Sequence, residues 1–232
     1  MGSGNSLTFN MTTKGGTATR TLAIRNAIIA GWTGRDVVAM EKHIKELEEI
    51  GVTRPATTPI YYRVGATRLT TADAIQAAGN ESSGEVEYVM VKIDGKLWIG
   101  VGSDHTDRKV ETYNITVSKQ MCDKPVAPAL WPWEEVADHW DSLTLRSHAV
   151  IGGKRELYQE GKVAAMRMPL ELIEGYNRTQ GTFDDGSLMF GGTLAAKGGI
   201  RSADRFELEL VDQKLGRTIS HGYNIESLPV LG

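Results

Sequence analysis

The first residues whose spacing indicates chemistry are two glutamates, Glu85 and Glu87, separated by one valine. On a β-strand alternate side chains point to the same face, so both carboxylates share one face of a segment that continues to Ile93. Apolar residues fill the rest of both faces, which predicts a strand covered on both sides. Two buried carboxylates side by side repel each other and lose hydration, so they need a cation or a shared proton. The alternative is that this strand end is exposed and both glutamates are solvated.

A third carboxylate is expected to join the pair through a hairpin. Asp94-Gly95 lies between two apolar segments, which is a strong signal for a two-residue turn, and the returning strand leads into Gly102–Arg108. That stretch contains Asp104, His105 and Asp107, and the hairpin places it beside the two glutamates. Three carboxylates favour a hard cation such as Mg²⁺ or Mn²⁺, whereas His105 could contribute to a zinc or iron site. A solvated polar turn is the alternative to any metal site.

A histidine and a carboxylate, His43 and Glu46, lie three positions apart in a predicted helix. The helix is expected to begin at the candidate N-cap Thr33 and to end at Gly51. Its apolar residues recur at helical spacing, and His43 borders that stripe. A neighbouring carboxylate can fix the tautomer of a histidine and raise its basicity, as a general base requires. The alternative is a surface pair on an amphipathic helix.

Three further positions carry weaker signals. Lys119 is a single lysine in a segment that fits either a helix or a strand, and such lysines are commonly solvated. Gly191-Gly192-Thr193 follows a short apolar strand and can present backbone amides and a hydroxyl to an anion, or simply form a tight turn. Cys122 has no adjacent base, so nucleophilic catalysis is not indicated.

The elements that must position these residues belong to a chain of ordinary globular composition. It has 232 residues, of which 41% are hydrophobic and 24% charged, enough for one sizeable core. A net charge of −3 excludes the basic surface of a nucleic-acid-binding protein. The sequence has no apolar run long enough to cross a bilayer and no visible secretory signal, so a cytoplasmic protein without a membrane partner is expected. One cysteine excludes an internal disulfide and a Cys-rich zinc site.

The pattern of strands predicts an α+β protein that is mainly β. Its 26 glycines suggest many tight turns, and alternating segments recur along the chain. Helical patterns are few, namely the segment that carries His43 and one from Pro132 to Trp140. The predicted strands are Leu7–Met11, Thr19–Ile29, Ile60–Val64, Glu85–Ile93, Lys96–Val101, Leu143–His148, Leu188–Phe190, Phe206–Val211 and Arg217–Ile225.

The order of these segments resembles the fumarylacetoacetate hydrolase (FAH) superfamily. That superfamily has a His-x-x-Glu pair on an early helix, a Glu-x-Glu strand, an aspartate turn leading to an arginine, a lysine before a proline-rich stretch, and a late Gly-Thr. The resemblance covers roughly residues 25 to 228. The strings Ser82–Glu87 and Gly102–Arg108 are also similar to those of a bacterial family of unknown function within or near this superfamily. The matching segments are His43–Glu46, Glu85–Glu87, Asp104–Arg108, Lys119 with Pro125–Pro128, and Gly192-Thr193.

The resemblance also implies an architecture. The superfamily folds as a mixed β-roll, of the FAH C-terminal-domain type, with a few peripheral helices. Residues 1–232 would then form one FAH-like catalytic domain, with an N-terminal hairpin at residues 1–30 attached and no separate linker. A homodimer is the expected assembly.

The chemistry that the resemblance implies is that of a metal-dependent hydrolase. Such an enzyme cleaves a C–C bond in a small 2-oxo (dioxo) acid through a metal-bound enolate. The implied ligands of the Mg²⁺ or Mn²⁺ ion are Glu85, Glu87 and Asp104. The implied catalytic residues are His43, Glu46 and Lys119, and the implied substrate-binding residues are Arg108, Glu111 and Thr193.

Three departures from the superfamily pattern keep other reactions open. Lys109 stands where a second aspartate is expected, Glu111 where glutamine is usual, and Leu194 where a proline follows Gly-Thr. These positions lie where substrate would bind. The same site could therefore serve a decarboxylase, a hydratase or dehydratase, or an isomerase of a 2-oxo acid. A non-catalytic β-domain that binds a small ligand is the second alternative.

Overall fold

The structure is a computed structural model that describes residues 4–49 and 54–231. Within the first helix, the side chains of His43, Glu46, Leu47 and Glu49 lie outside the described part. None of the described helices is long and apolar enough to span a membrane.

Most of the described residues with regular structure belong to β-strands. They alternate with short turns, several of which place a glycine at positive φ. The strands, in chain order, are β1 Asn5–Thr13, β2 Gly16–Ile24, β3 Asn26–Gly31, β4 Ile60–Val64, β5 Leu69–Thr70, β6 Ala74–Ala78, β7 Ser82–Ser83, β8 Val86–Ile93, β9 Lys96–Ser103, β10 Thr106–Asp107, β11 Lys124–Pro125, β12 Ala129–Pro132, β13 Thr144–Ile151, β14 Lys154–Lys162, β15 Ser187–Phe190, β16 Arg205–Asp212 and β17 Arg217–Leu228.

The helices are few and short. Short 3₁₀ turns lie at Ala66–Arg68, Ala137–Ser142 and Val163–Ala165. The α-helices are α1 Val37–Glu49, α2 Arg108–Glu111, α3 Ile115–Met121, α4 Trp133–Val136 and α5 Pro169–Thr179. The expected fold class, mainly β with a few helices, is therefore confirmed.

Two mixed sheets carry the architecture. In the described chain the larger sheet has the order β2-β1-β12-β9-β8-β15-β3-β4, and the smaller has the order β14-β13-β16-β17-β6. Most neighbours are antiparallel, but β1 with β12, β15 with β3, and β17 with β6 are parallel. Because β9 and β15 both run antiparallel to β8, the beginning of β8 lies beside the ends of both. The larger sheet thus gathers several strand termini at one edge.

The core consists of two clusters on opposite faces of β8. Val86, Tyr88 and Met90 pack between the two sheets, with side chains from β13, β16 and β17. Val89 and Val91 belong to the second cluster, which is built from other strands of the larger sheet, so this sheet curls around it. The predicted burial of this strand on both faces is confirmed.

In the N-terminal segment the structure confirms one local prediction and corrects two others. The predicted hairpin forms, but the expected strand Thr19–Ile29 is interrupted at Arg25, whose amide bonds to Gly186 O as the chain passes from β2 to β3. Helix α1 is capped by Asp36, whose Oδ1 accepts the Ala39 amide at 2.9 Å, so the prediction of Thr33 as N-cap is wrong. The expected helix end at Gly51 lies outside the described residues.

Candidate metal centre and adjoining cavity

Three carboxylates meet at the edge where β8 begins. The register pairs Val86 with Ser103, so the residues just beyond them, Glu85 and Asp104, are neighbours, and the Asp104 amide donates to Glu85 O at 3.1 Å. Glu87 lies two residues further along the chain, in β8, on the same face as Glu85. One oxygen from each of the three side chains lies within 4.8 Å of the others. We call Glu85, Glu87 and Asp104 the carboxylate triad; the hairpin assembles it as the Asp-Gly turn predicts.

Two members of the triad are buried, and the side chain of the third, Glu85, is 18% exposed. Asp104 has no exposed surface and Glu87 is 3% exposed. Burial raises the pKa of Glu87 well above its ordinary value, and the charges of Asp104 and Glu85 raise it further. Burial also raises the pKa of Glu85, although Arg108 and Lys119 oppose that shift. A cation between such crowded carboxylates would favour their ionised forms.

The donor set suits a small divalent cation. All three donors are carboxylate oxygens, which Mg²⁺ and Mn²⁺ prefer over the nitrogen and sulfur ligands of zinc sites. Asp104 Oδ1 makes no hydrogen bond among the described residues, although it is buried. The residues present therefore fit a divalent ion bound by Glu85, Glu87 and Asp104.

Two lysines approach the two oxygens of Asp104 from different elements. Lys119, in the last turn of α3, donates to Asp104 Oδ2, and its Nζ lies 3.9 Å from Glu85 Oε2. Burial by itself would lower the pKa of Lys119, but Asp104 and Glu85 outweigh it and raise that pKa. Lys124, in β11, places Nζ 3.2 Å from Asp104 Oδ1 and donates to His105 O at 2.5 Å. Lys119 therefore lies beside the triad, and its catalytic role stays a prediction.

Sequence reasoning did not find Lys124. Its side chain has no exposed surface, and burial lowers its pKa although Asp104 opposes that shift. Lys124 lies in a short strand that pairs in parallel with Leu69, far away in the chain, and no local pattern reveals that pairing. The available signal was its position directly before Pro125, in the stretch already matched to the superfamily.

Arg108 borders the triad at the start of α2. The helix is capped by Asp107, whose Oδ1 accepts the Val110 amide, so Asp107 is not a member of the triad. Arg108 Nε donates to Ser83 Oγ at 2.7 Å and Nη1 to Glu111 Oε2 at 2.8 Å. Its Nη2 lies 3.3 Å from Glu85 Oε1 and is buried without a hydrogen bond among the described groups. The N–H groups of Nη2 can thus donate to a ligand beside Glu85, while Glu111 orients the guanidinium.

The Gly-Thr segment after β15 supports the triad from the other side. Gly192 has a φ of 105° and its amide donates to Glu87 Oε2 at 2.7 Å. Thr193 donates its hydroxyl proton to Val86 O and accepts from Gln159 Nε2, both at 2.8 Å. Thr193 lines the cavity, but its only proton is committed, so this hydroxyl holds the loop and cannot also donate to a substrate anion.

The histidine of the hairpin end, His105, is occupied on both ring nitrogens. Nδ1 lies 3.0 Å from the Tyr223 hydroxyl and Nε2 lies 2.8 Å from Ser82 Oγ. Burial lowers the pKa of His105 to about 3, and Lys124 and Arg108 contribute to the shift. A neutral, doubly bonded ring belongs to the core, so the alternative of a zinc or iron site with His105 as ligand has no support.

The predicted catalytic pair belongs to α1. His43 and Glu46 lie on this helix, but their side chains fall outside the described residues. Ala39 and Met40, from the preceding turn, line the cavity next to the triad. The roles of His43 and Glu46 therefore stay predictions, on a helix that does border the cavity.

A cavity of about 860 Å³ opens from the triad. Arg108, Glu111 and Lys119 lie beside the carboxylates at its polar end. Its other walls are apolar and come from α1, α3 and the loops around residues 165 and 195, with the side chains of Trp32, Met40, Ile115, Met166, Leu194 and Ile200. A volume of this size accommodates a small-molecule ligand.

The sequence matches one described family. Residues 30–223 match the family model described as "Protein of unknown function (DUF2848)". No curated protein sequence matches the chain.

Solved structures share the fold at low sequence identity. A proposed fumarylpyruvate hydrolase from Burkholderia cenocepacia is 18% identical, with a TM-score of 0.63 over 99% of this chain and 98% of that one. A yeast protein of the fumarylacetoacetate hydrolase family is 18% identical, with a TM-score of 0.62 over 90% of this chain and 95% of that one. A 2-keto-3-deoxy-D-arabinonate dehydratase, complexed with magnesium and 2,5-dioxopentanoate, is 17% identical, with a TM-score of 0.62 over 90% and 77%. The fold is therefore of the FAH type.

Proposed function

We propose an activity for this chain, which belongs to the DUF2848 family of proteins of unknown function: it is a divalent-metal-dependent enzyme acting on a small 2-oxo acid. The reaction that we favour is hydrolysis of a C–C bond in a dioxo acid. The observation that carries the proposal is the buried carboxylate triad at the polar end of a large cavity, with Lys119 and Arg108 beside it. Such a set of groups is suited to binding a divalent cation together with an anionic ligand.

The similar structures support both the main proposal and its alternative. They include a proposed hydrolase and a dehydratase, and the latter is complexed with magnesium. Because the identities lie below 20%, they establish the fold and leave the reaction to experiment. Dehydration, decarboxylation or isomerisation of a 2-oxo acid is the alternative use of the same site.

The cation would be held by Glu85, Glu87 and Asp104. As a Lewis acid it would polarise the 2-oxo group and stabilise the enolate that forms when the neighbouring bond breaks. Lys119 would add a fixed positive charge beside the oxygen on which negative charge develops. Nη2 of Arg108, which makes no hydrogen bond among the described groups, would bind the substrate carboxylate, oriented by the bond from Nη1 to Glu111.

Proton transfer is assigned to the α1 pair. His43, with Glu46 fixing its tautomer, would activate a water molecule as general base and return the proton to the leaving carbon. The position of α1 along the cavity supports this assignment, since Ala39 and Met40 already reach the lining. Thr193 is left out of the substrate contacts because its hydroxyl proton is used by Val86 O.

The charge of the site favours a single anionic group. The triad and Glu111 together carry one negative charge more than Arg108, Lys119 and Lys124 carry positive charge. A bound divalent cation reverses the sign and leaves the site with one net positive charge. The loaded site would thus attract one carboxylate.

The assembly expected from the resemblance is part of the proposal. We propose that residues 1–232 act as one catalytic domain, that the two sheets form the β-roll of FAH-type domains, and that the protein works as a homodimer. Light scattering after size-exclusion chromatography would measure the mass in solution. A monomer at working concentration would remove the homodimer from the proposal.

The activity is tested with a panel of 2-oxo acids and acylpyruvates. Metal-stripped protein, with and without Mg²⁺ or Mn²⁺, is incubated with each compound, and the products are identified by NMR. Cleavage of the carbon chain with incorporation of water supports the hydrolase, and loss of water or CO₂ from an intact skeleton supports the alternative. The Asp104→Asn variant should be inactive. Its matched control is Asp94→Asn, on the same hairpin at an exposed turn position.

A metal-binding protein without turnover of any compound on the panel would support the non-catalytic alternative. Activity without any divalent ion, or equal activity of Asp104→Asn and wild type, would contradict the proposed site.

A further inference from the structure

The cavity described above has a polar end and an apolar end. We infer that the substrate carries a single carboxylate, at the end that meets the triad, and an uncharged apolar group at the other. The inference rests on the proposed function and narrows its substrate to one chemical class, the monocarboxylic 2-oxo acids with an apolar tail. Dicarboxylic acids are the class that it excludes.

The cations of the cavity are the first observation. Among the described lining residues the cationic side chains are Arg108 and Lys119, and both lie beside the triad. Lys119 is bound to Asp104, whereas Nη2 of Arg108 is ion-paired with Glu85 at 3.3 Å and makes no hydrogen bond among the described groups, so it can donate to a ligand. This polar end can therefore receive one carboxylate.

The far end offers no partner for a second carboxylate. Among the described lining residues, the charged side chain outside the triad, Arg108, Glu111 and Lys119 is Asp36, which is itself acidic and caps α1 through the Ala39 amide. A carboxylate placed there would lose hydration, gain no described cation and face a like charge. A carboxylate against apolar walls without a paired cation is disfavoured to the extent that it loses hydration.

The apolar walls favour an uncharged, apolar group. Met40 is 9% exposed, Met166 is 2% exposed, and Trp32, Ile115 and Leu194 complete the surface between them. Methionine side chains adapt to ligands of irregular shape because they are flexible and polarisable. Burial of methylene or ring carbons against these residues stabilises a complex in proportion to the apolar area removed from water.

The size of the cavity also favours a substrate with an apolar tail. At about 860 Å³ it is much larger than a chelating 2-oxo acid head alone requires. The remaining volume is lined mainly by apolar residues, and one of them, Ile200, is 60% exposed and lies where the lining meets solvent. The tail would have the length of a medium alkyl chain or of an aromatic ring.

The experiment compares two acids of equal chain length that differ only at the far end. Binding of 2-oxoheptanoate and of 2-oxoheptanedioate to Mg²⁺-loaded protein is measured by calorimetry, with oxalate as a chelator that has no tail. We expect oxalate to bind, and 2-oxoheptanoate to bind about tenfold or more tightly than the diacid, because the diacid would leave an unpaired charge at the apolar wall. Equal or tighter binding of the diacid would overturn the inference. So would binding of oxalate with no binding of 2-oxoheptanoate.

Two substitutions of Ile200, one charged and one neutral, provide the matched variants. Ile200→Arg places a cation at the far end and should narrow or invert the preference, whereas Ile200→Gln should leave the preference for the monoacid in place. An unchanged ratio in Ile200→Arg would overturn the placement of the tail along this wall. Failure of oxalate to bind loaded protein would overturn the proposed function itself, so the two failures are distinguishable.

Discussion

Lys124 and Asp104 form an ion pair in which neither side chain has any exposed surface, with Nζ 3.2 Å from Oδ1. Lys119 holds the other oxygen of the same carboxylate. Burial alone would raise the pKa of Asp104, but the two lysines outweigh it and hold that pKa below its ordinary value. One member of the triad is thus held ionised by the protein itself, while Glu87, whose pKa is raised, lacks such a partner.

Replacement of Lys124 by methionine should tighten metal binding and weaken the fold. A positive charge beside a metal ligand repels a divalent ion, so its removal should raise the Mg²⁺ affinity about tenfold or more. The metal-free variant should lose about 3–5 kcal/mol of unfolding free energy, because Asp104 loses a buried partner. Saturating Mg²⁺ should recover part of that loss.

Calorimetric titration and chemical unfolding measure the two effects, with Lys96→Met at the exposed end of the same hairpin as control. An unchanged Mg²⁺ affinity in Lys124→Met would contradict the predicted repulsion between this lysine and the ion.

Addition of Mg²⁺ should raise the melting temperature of the wild-type protein. A ligand that binds only the folded state stabilises it by about 2.7 kcal/mol at one hundred times its Kd. Asp104→Asn should lose the shift, and the turn variant Asp94→Asn should retain it. Scanning calorimetry with and without Mg²⁺ makes the measurement. A shift of equal size in all three proteins would place the ion somewhere other than the triad.

The triad could be predicted because its determinants are local. Alternation places Glu85 and Glu87 on one face, and Asp94-Gly95 returns the chain beside them; both turn residues have the positive φ values, 49° and 73°, that such a turn requires. The choice of Asp104 over Asp107 could not be made from the residues alone, since it depends on which carboxylate caps α2.

Other features depend on contacts between distant segments. Lys124 lies in a short strand that pairs with Leu69, and Gln159 of β14 accepts the Val86 amide while its own amide donates to Thr193. Neither residue has a local pattern that separates it from a solvated one. Helix α5, by contrast, has a proline at its first position, which is a local signal for a helix start that the predicted elements did not include.

The variant His43→Ala tests the predicted general base. We expect it to retain Mg²⁺ binding and to reduce turnover by about 10²–10⁴-fold, the usual effect of a lost general base. Lys45→Ala, an exposed position on the same helix, is the control and should have wild-type turnover. Steady-state kinetics on the best compound of the panel gives the comparison. Wild-type turnover in His43→Ala would show that His43 is not the general base and would support the alternative of a surface pair with Glu46.

Alanine at Gly192 should disturb the triad through Glu87. A Cβ there would lie 1.8 Å from Thr33 Oγ1, so the loop must shift and the amide that holds Glu87 moves with it. Gly199→Ala is the control, because Gly199 also has a positive φ but open space around it. Gly192→Ala should be about 1–3 kcal/mol less stable than this control and should bind Mg²⁺ more weakly. Unfolding curves and titrations with identical results for both variants would contradict the support role of Gly192.

A pH-dependent contribution is expected at Asp212, far from the triad. Burial would raise the pKa of this side chain, but the Leu215 amide, His139 and Arg217 outweigh it and hold the pKa below its ordinary value of 3.8. The stabilisation by the ionised carboxylate is therefore fully present above pH 3.8 and is lost as the pH falls through the folded-state pKa.

The variant Asp212→Asn should be less stable than wild type by about 2 kcal/mol at neutral pH, since it loses bonds to a charged acceptor. The difference should shrink below pH 3.8, where wild type also loses the charge. Asp138→Asn, an exposed position in the adjoining segment, is the control. Urea unfolding across the pH range measures the difference, and a difference that grows in acid would contradict the assignment.

The loop after β15 has two tasks at once. Gly192 holds the ligand Glu87 through its amide, and Leu194, two residues later, forms part of the apolar wall. If the proposed metal site is correct, any occupant that moves the wall would also move a metal ligand, and the two binding events would share one free energy of coupling. Coupling of this kind is reciprocal: the factor by which the cation tightens a well-fitting tail is the factor by which that tail tightens the cation. A compound with an ill-fitting tail would then weaken the binding of the cation that its own head group needs. Such a compound would be disfavoured by the loss of the cation as well as by poor contact with the wall.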